Sequence, residues 1–536
     1  MYSGIDNPQR WVFPQVLLEQ ADRQPDFPWI TFIGGESMTF AQAATDARRV
    51  AGFLAQLGVK AGDRVILMLP TNCDFIRAWM GLGMLGAITV LLNTELRGAF
   101  LKHQLDNASA ALMLVDATLL GAVQEALPEG HKPSRIVVSG EHSVPVADGL
   151  VTIDWDLWKE AGLFQSCNAS AQDIACIMYT SGTSGPAKGV LMPHAHCTLF
   201  GLGTMETLQL QADDLYYITL PLFHANGLLN QLGSTLLAGI PAVIRPRFSA
   251  SAWLGDIQTH GATVTNLLGA MIAFVLAQPR SANDRQHRLR AMLNGPNLPE
   301  HEAQFRERFG VRDVLMGYGM TEINIPISCR LGDSRPGKVG WVLKDRFDVI
   351  IADPETDRPV AADEVGEILV RPRIPFCFMA GYHDMPDKTV EAWRNLWFHT
   401  GDAGTVDQDG LFTFVDRIKD CIRRRGENIA ATEVEAAVGR LPGVAEVAAY
   451  AVPSDISGGE DELMLAIVPL PDMPLSLEEI AEQADKVLPK FARPRFLELL
   501  DQLPKTATGK VQRAALRKRG SGTAYDRNGG TAKSAR

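Results

Sequence analysis

Residues 179–190 read YTSGTSGPAKGV, a run of hydroxyls and glycines closed by one lysine. Thr180, Ser181, Thr183 and Ser184 supply hydroxyl donors. Gly182, Gly185 and Gly189 lack the Cβ atoms that would hold a polyphosphate away from backbone N–H groups, and Lys188 adds a mobile point charge. This composition suits a phosphate cradle. A Walker loop would need Gly immediately before the Lys and Ser or Thr immediately after it, whereas the neighbours here are Ala187 and Gly189. Taken alone, the segment also reads as a Gly/Ser-rich surface turn.

Four further clusters carry chemistry. PLFHANG (221–227) sets His224 between an aromatic and small residues. MGYGMTE (316–322) offers backbone room at Gly317 and Gly319, a flat ring at Tyr318, a hydroxyl at Thr321 and a carboxylate at Glu322. WFHTGD (397–402) ends in Asp402, which can hold the two hydroxyls of a ribose, and PKTATGKVQR (504–513) presents Lys510 after a flexible TATG. Singly, Asp402 suits a turn cap, His224 a core histidine and Lys510 a solvated surface charge. Together they supply what nucleotide activation of a carboxylate needs: a triphosphate cradle, an adenine slot, a ribose anchor, a metal ligand and a mobile cation. The run His194, His196, Cys197 lacks a second ligand pair at zinc spacing, so His194 is read as the entrance of a helix.

Helix and strand patterns alternate through the region that must position these clusters. Thr39 and Gln42 form a capping box before an apolar stripe that Gly58 closes, and a strand follows at 64–69. The rhythm repeats through 75–138 and again over 199–316, which predicts layered α/β sheets with helices outside. From about 337 the strands become short and turn-rich, predicting a small β subdomain over 337–415. The charged run DRIKD (416–420) is a joint, and 421–519 reads as a compact α+β domain. The tail 520–536 has little to bury and is expected to be disordered.

At 536 residues the chain is too long for one core, so two to four structural units are expected. A net charge of -11 disfavours a general nucleic-acid binder; any polyanion must meet local cations such as Arg423, Arg424 and Arg425. The 7 cysteines include no CxxC, which suits a reducing, cytoplasmic setting. The apolar run 78–92 is broken by glycines and too short to span a bilayer, so it is read as a buried helix followed by a strand.

With all five motifs in order over about residues 10–515, the chain resembles the adenylate-forming superfamily of acyl-CoA synthetases, peptide-synthetase adenylation domains and firefly luciferase. The resemblance implies a large N-terminal domain (1–415), a hinge (416–420) and a small mobile C-terminal domain. It implies ATP binding by Thr180, Ser181, Gly182, Thr183, Ser184, Gly185, Lys188, Tyr318, Gly319, Thr321, Asp402 and Arg417, with Mg²⁺ held by Glu322. Lys510, Thr183, Glu322 and His224 become the catalytic set, Lys419 the hinge residue, and Arg425 and Gly426 the coenzyme A contacts. The acyl group would meet His224, Asn226, Gly295, Gly317 and Ile323, with aromatic faces such as Phe223 or Trp253 available to a cationic acid. The implied activity is an ATP-dependent ligation of a small-molecule carboxylic acid to CoA, without nucleic acid or membrane span and compatible with a homodimer. The alternative is an amino-acid or aryl-acid adenylation enzyme loading a carrier protein; the resemblance implies that amino-acid adenylation domains commonly carry an Asp in the PLFHANG region to hold the α-ammonium group, and here His224 stands instead, which favours CoA. The segments 279–290 and 308–312 look especially similar to crotonobetaine/carnitine-CoA ligases. One departure is Ala187, which fills the place of the proline that usually precedes the loop lysine.

Overall fold

The computed structural model describes residues 1–127, 133, 135–141, 150–180, 186–295, 299–417, 421–424, 427–455, 460–470, 473, 476–504 and 511–531. Ser181, Gly182, Thr183, Ser184, Gly185, Lys419, Arg425, Gly426 and Lys510 therefore lie outside the described residues, as does the side chain of Arg417.

Two large sheets form the N-terminal part. An 8-stranded sheet includes Arg64–Met68, Ile88–Leu91, Ile174–Thr180 and Lys188–Pro193, and a 9-stranded sheet includes Tyr216–Ile218, Val264–Leu267, Ala291–Asn294 and Asp313–Met320. Their central strands run parallel, with apolar residues on both faces and helices between. The capping box at Thr39 opens the helix Phe40–Gln56. That helix packs against Cys73–Leu85 so closely that a Cβ on Gly81 would lie 2.6 Å from Val50 Cγ1. The run 78–92 is thus a buried helix followed by the strand Ile88–Leu91, and among the described residues no helix is long and apolar enough to cross a membrane.

The β subdomain is the antiparallel sheet of Phe347–Ala352, Gly366–Pro372, Phe398–Val406 and Phe412–Arg417. Beyond it, the hairpin Cys421–Arg424 with Glu427–Ala430 leads into a 5-stranded sheet built on Val444–Val452, Glu462–Pro469 and Phe496–Leu499. The strand Val444–Val452 divides two cores. Ala449 faces the cluster holding Ile422, Ile429 and Val434 together with Ile66 and Ile177 of the N-terminal sheet. Ala448, Tyr450 and Val452 face the other cluster, with Leu503, Val511 and Leu516.

The tail departs from expectation. Tyr525–Asp526 and Gly530–Thr531 add two strands to the C-terminal sheet, the first pairing onto Phe496–Leu499 and the second onto the first. Low apolar content misled here because charge does the tethering: Asp526 meets Arg495 at 3.0 Å and Arg527 meets Asp485 at 2.6 Å. Ala524 is buried beneath them.

Candidate functional site

The carboxyl ends of the parallel strands open into a cleft of about 1790 Å³ between the two large sheets, the β subdomain and the C-terminal domain. It is lined by Thr180, Lys188, His224, Asn226, Gly295, Gly317, Tyr318, Gly319, Thr321, Glu322 and Asp402. Residues from four of the five motifs, separated by up to about two hundred positions in sequence, thus share one space, as expected where ligands sit beyond strand carboxyl ends.

The flanks of the cradle come from a hairpin. Thr180 ends Ile174–Thr180, Lys188 begins Lys188–Pro193, and the two residues are register partners. Thr180 Oγ1 donates to Glu322 Oε1 at 3.1 Å, and Tyr382 O–H donates to the same oxygen at 3.1 Å. Lys188 Nζ lies 4.1 Å from the centre of the Tyr382 ring. A lysine, a hydroxyl and a buried carboxylate are therefore gathered where a polyphosphate and its counter-cation would need them. Burial and the Glu322 charge hold the Tyr382 hydroxyl well above its ordinary range, so it acts as a donor.

Tyr318 is buried, and its hydroxyl donates to Asp402 Oδ2 at 2.8 Å. Its ring lies 6.1 Å from that of Phe414 in a stacked pose. Gly319 must be glycine: a Cβ there would meet Asn324 O at 2.1 Å. Asp402 and Arg417 are register partners on adjacent antiparallel strands, which places both proposed ribose contacts at one level of the β subdomain. Behind this wall stands a residue the motifs did not single out. His196 Nε2 donates to the Thr321 carbonyl at 2.8 Å, and burial pulls the imidazole down to about 4, so it stays neutral and locks the turn carrying Glu322. His194 is the first residue of the helix His194–Thr207, as its sequence position implied.

At the other end, His224 Nε2 lies 2.8 Å from Glu427 Oε1, and Asn93 Nδ2 donates to the same oxygen at 3.1 Å. Burial lowers the His224 pKa, but the Glu427 charge and hydrogen bond outweigh it, and the net shift is upward. Glu427 belongs to the C-terminal hairpin, and Arg423, Lys490, Phe491 and Arg493 of the same domain also line the cleft. Sequence reading missed Glu427 because its motif pointed to the neighbouring glycine. Asn226 begins a π-helical turn, Asn226–Leu232, a form common at functional sites. Its Oδ1 accepts from Asn266 Nδ2 at 3.0 Å and Gln231 Nε2 at 3.1 Å.

Two acyl-pocket expectations fail. Ile323 is 0% exposed within the main core, because the turn after Met320 directs it inward; Ile325, two residues on, lines the cleft instead. Trp253 is likewise 0% exposed, packed against Phe305 and Phe309, so no ligand can use its face. Phe223 does line the cleft, with Phe200 and Phe274. The cleft also carries cations that a pocket drawn from local segments did not include, Arg247 and Arg423 among them.

Residues 17–383 match the AMP-binding enzyme family and residues 433–510 its C-terminal domain. The chain is 32% identical over 488 residues to the crotonobetaine/carnitine–CoA ligase of Escherichia coli O157:H7 (strain EC4115), covering 89% of this chain and 93% of the relative. Among solved structures it resembles a double mutant of o-succinylbenzoate CoA synthetase from Bacillus subtilis, bound with its product analogue (TM-score 0.80, 26% identity, 96% of this chain and 99% of that one). It also resembles an anthranilate CoA ligase in complex with anthranoyl-AMP (TM-score 0.71, 26% identity, 96% and 98% covered). The chain belongs to the AMP-binding enzyme family and is an AMP-forming acid–CoA ligase.

Proposed function

We propose that this ligase works through an acyl-adenylate and acts on a small to medium neutral or betaine-like acid. The observation that carries the reading is the single cleft in which Thr180 and Lys188, Tyr318 and Asp402, and His224 face one another. In the first half-reaction a carboxylate oxygen bonds to the α-phosphorus of ATP while the bond to the β-phosphate oxygen breaks and pyrophosphate leaves. Tyr318 offers its ring to the adenine and Asp402 its carboxylate to the ribose, while Lys188, with Lys510 and the hydroxyls at 181–184, opposes the negative charge gathered at the phosphates. Glu322, already accepting two hydroxyl hydrogen bonds, fits as the single carboxylate of a Mg²⁺ site completed by phosphate and water oxygens. Such an ion would neutralise phosphate charge. In the second half-reaction the CoA sulfur bonds to the acyl carbon, the bond to the AMP oxygen breaks, and the thiol proton passes to solvent.

The C-terminal domain has two faces that suit two half-reactions. The hairpin bearing Glu427 faces the cleft, whereas Leu503 and Val511, which bracket the Lys510 segment, pack on the opposite side of the C-terminal sheet. We therefore read this orientation as the thiolation one, with rotation about the joint at 416–420 exchanging the faces.

For the acid, the support is the relative that acts on crotonobetaine or carnitine and a pocket wall of Phe200, Phe223, Met271 and Phe274 interrupted by Asn226 and Asn294. Aromatic faces suit a quaternary ammonium group, and the amides suit a neutral polar substituent. At fixed ATP and CoA, butyrate, octanoate, a cinnamate, crotonobetaine and carnitine are compared with succinate. Neutral or betaine-like acids should exceed succinate at least about tenfold in kcat/KM. Succinate as the best substrate would mean that Arg247 or Arg423 reaches the acyl group, and would overturn this substrate assignment.

A further inference from the structure

The departure at residue 187 has a partner in the structure. Ala187 closes the cradle segment one residue before Lys188 and is 5% exposed. Both of its backbone groups are held. Its carbonyl accepts from His103 Nε2 at 2.9 Å, and its N–H donates to Glu433 Oε1 at 2.8 Å. His103 lies on the helix Gly98–Ala108 of the N-terminal domain, and Glu433 lies in the first turn of Ala431–Val438 of the C-terminal domain. The backbone of one residue is thus held from both domains, through the two peptide units that meet at Ala187. A proline at 187 would have no N–H to give.

We propose that Glu433 is a positioning residue for thiolation: through the Ala187 N–H it latches the C-terminal domain in the orientation that lays the Glu427 hairpin over the cleft. The inference rests on the acyl-adenylate reading above. Its logic is competition at the edge of the cradle. A carboxyl group one residue from Lys188 occupies an N–H beside the polyphosphate site, and its ionised form repels a bound polyphosphate. The latch therefore closes best once pyrophosphate has left, and while closed it opposes pyrophosphate return. Commitment to thiolation follows from the order in which pyrophosphate and the Glu433 carboxyl use one corner of the site.

The charged and titratable groups around the latch are His224, Glu427 and Tyr179, which line the same small cavity as Glu433, together with His103 on the Ala187 carbonyl and Lys188 next in sequence. Burial raises the Glu433 carboxyl to about 7, against a downward pull from the Ala187 N–H. The latched state thus holds a proton that the released state, with an ordinary carboxyl, gives up. Its contribution is complete at low pH and is lost as pH rises through about 7.

The test uses the full chain as wild type, Glu433→Gln, Glu433→Ala, Ala187→Pro and the Ala187→Pro/Glu433→Ala double variant. ATP–pyrophosphate exchange is followed with crotonobetaine and with butyrate, and thiolation by CoA is followed from supplied crotonobetainyl-AMP and butyryl-AMP. Glu433→Ala should slow thiolation about tenfold at pH 7 while exchange stays within about twofold, and Ala187→Pro should slow thiolation comparably. The double variant should be no slower than either single one, because both remove the same bond. Glu433→Gln, which keeps the acceptor but cannot ionise, should retain wild-type thiolation at pH 6 and exceed the wild type at pH 8. Amide hydrogen exchange at Ala187 should accelerate in Glu433→Ala, a readout that needs no acid. Wild-type thiolation in Glu433→Ala, effects that multiply in the double variant, or exchange and thiolation falling together would each overturn the proposal. If the wild type itself turns over neither probe, the adenylate reading of these acids has failed, and the amide-exchange comparison still decides the latch.

Discussion

The two walls of the cleft are built differently. On the nucleotide side, Tyr318, Glu322 and Asp402 are each buried and bonded to neighbours within the N-terminal part, through Tyr318 to Asp402, Thr180 and Tyr382 to Glu322, and His196 to Thr321. On the thiol side, polar contact across the domains runs through Glu427, shared by His224 and Asn93, and through Glu433 on Ala187. The first wall is preorganised, and a network of this kind is costly to open. The second joins the domains through two carboxyl groups, Glu427 on the titrating His224 and Glu433 on a backbone N–H, and it can be released. A rigid nucleotide wall facing a detachable cap suits two successive reactions in one cleft, the first at the α-phosphorus and the second at the acyl carbon.

The largest expected effect breaks one half-reaction alone. Lys510→Ala should slow acyl-adenylate formation by about a hundredfold or more, since a charge-assisted transition-state contact is worth roughly 3 kcal/mol, while supplied acyl-AMP is still converted to acyl-CoA. Gly426→Leu, at the position that the resemblance assigns to the coenzyme A contacts, should do the reverse. Stopped-flow measurement of each half-reaction separates them; equal loss of both in each variant would contradict domain alternation.

Next comes the rigid wall. Asp402→Ala removes the acceptor of the Tyr318 hydroxyl together with the proposed ribose contact, and should raise the KM for ATP about thirtyfold, as expected for a charged hydrogen bond of about 2 kcal/mol. Steady-state titration with ATP checks it. An unchanged KM would show that the pairing is structural only.

The cap should respond more gently. Glu427→Gln removes the charge that raises the His224 pKa, so the imidazole should titrate lower in the variant by NMR. Because the paired state holds its proton more tightly, the His224–Glu427 contribution to docking is full below the ordinary histidine value and is lost as pH rises through the raised one. Proteolysis at the joint should therefore be a few-fold faster at pH 8 than at pH 6, and less pH-dependent in Glu427→Gln. A joint cut equally fast at both pH values would remove His224 from the docking contacts.

Most of the nucleotide wall was legible in the sequence because its chemistry is local: Tyr318, Thr321 and Glu322 lie within five positions, and Thr180 and Lys188 flank one hairpin. The helix start at Thr39 was readable for the same reason, since a cap is written in adjacent residues. What escaped was tertiary. Tyr382 and His196 reach Glu322 and Thr321 from distant segments, and Glu427 gains its role only when the hairpin is laid on His224. Ile323 was placed in the pocket by proximity in sequence and Trp253 by its aromatic face, and the inward turn of one and the helix packing of the other moved them out of it. The tail was misjudged because ion pairs with Arg495 and Asp485 substitute for the apolar surface it lacks.

The adenylate mechanism is tested most directly by its products. Purified protein incubated with Mg²⁺, ATP, CoA and each acid of the panel is resolved by phosphorus NMR and by chromatography of the thioester. Equimolar AMP, pyrophosphate and acyl-CoA are predicted, with AMP and acyl-CoA formed only when both acid and CoA are present. ADP and orthophosphate appearing in step with acyl-CoA would contradict the mechanism.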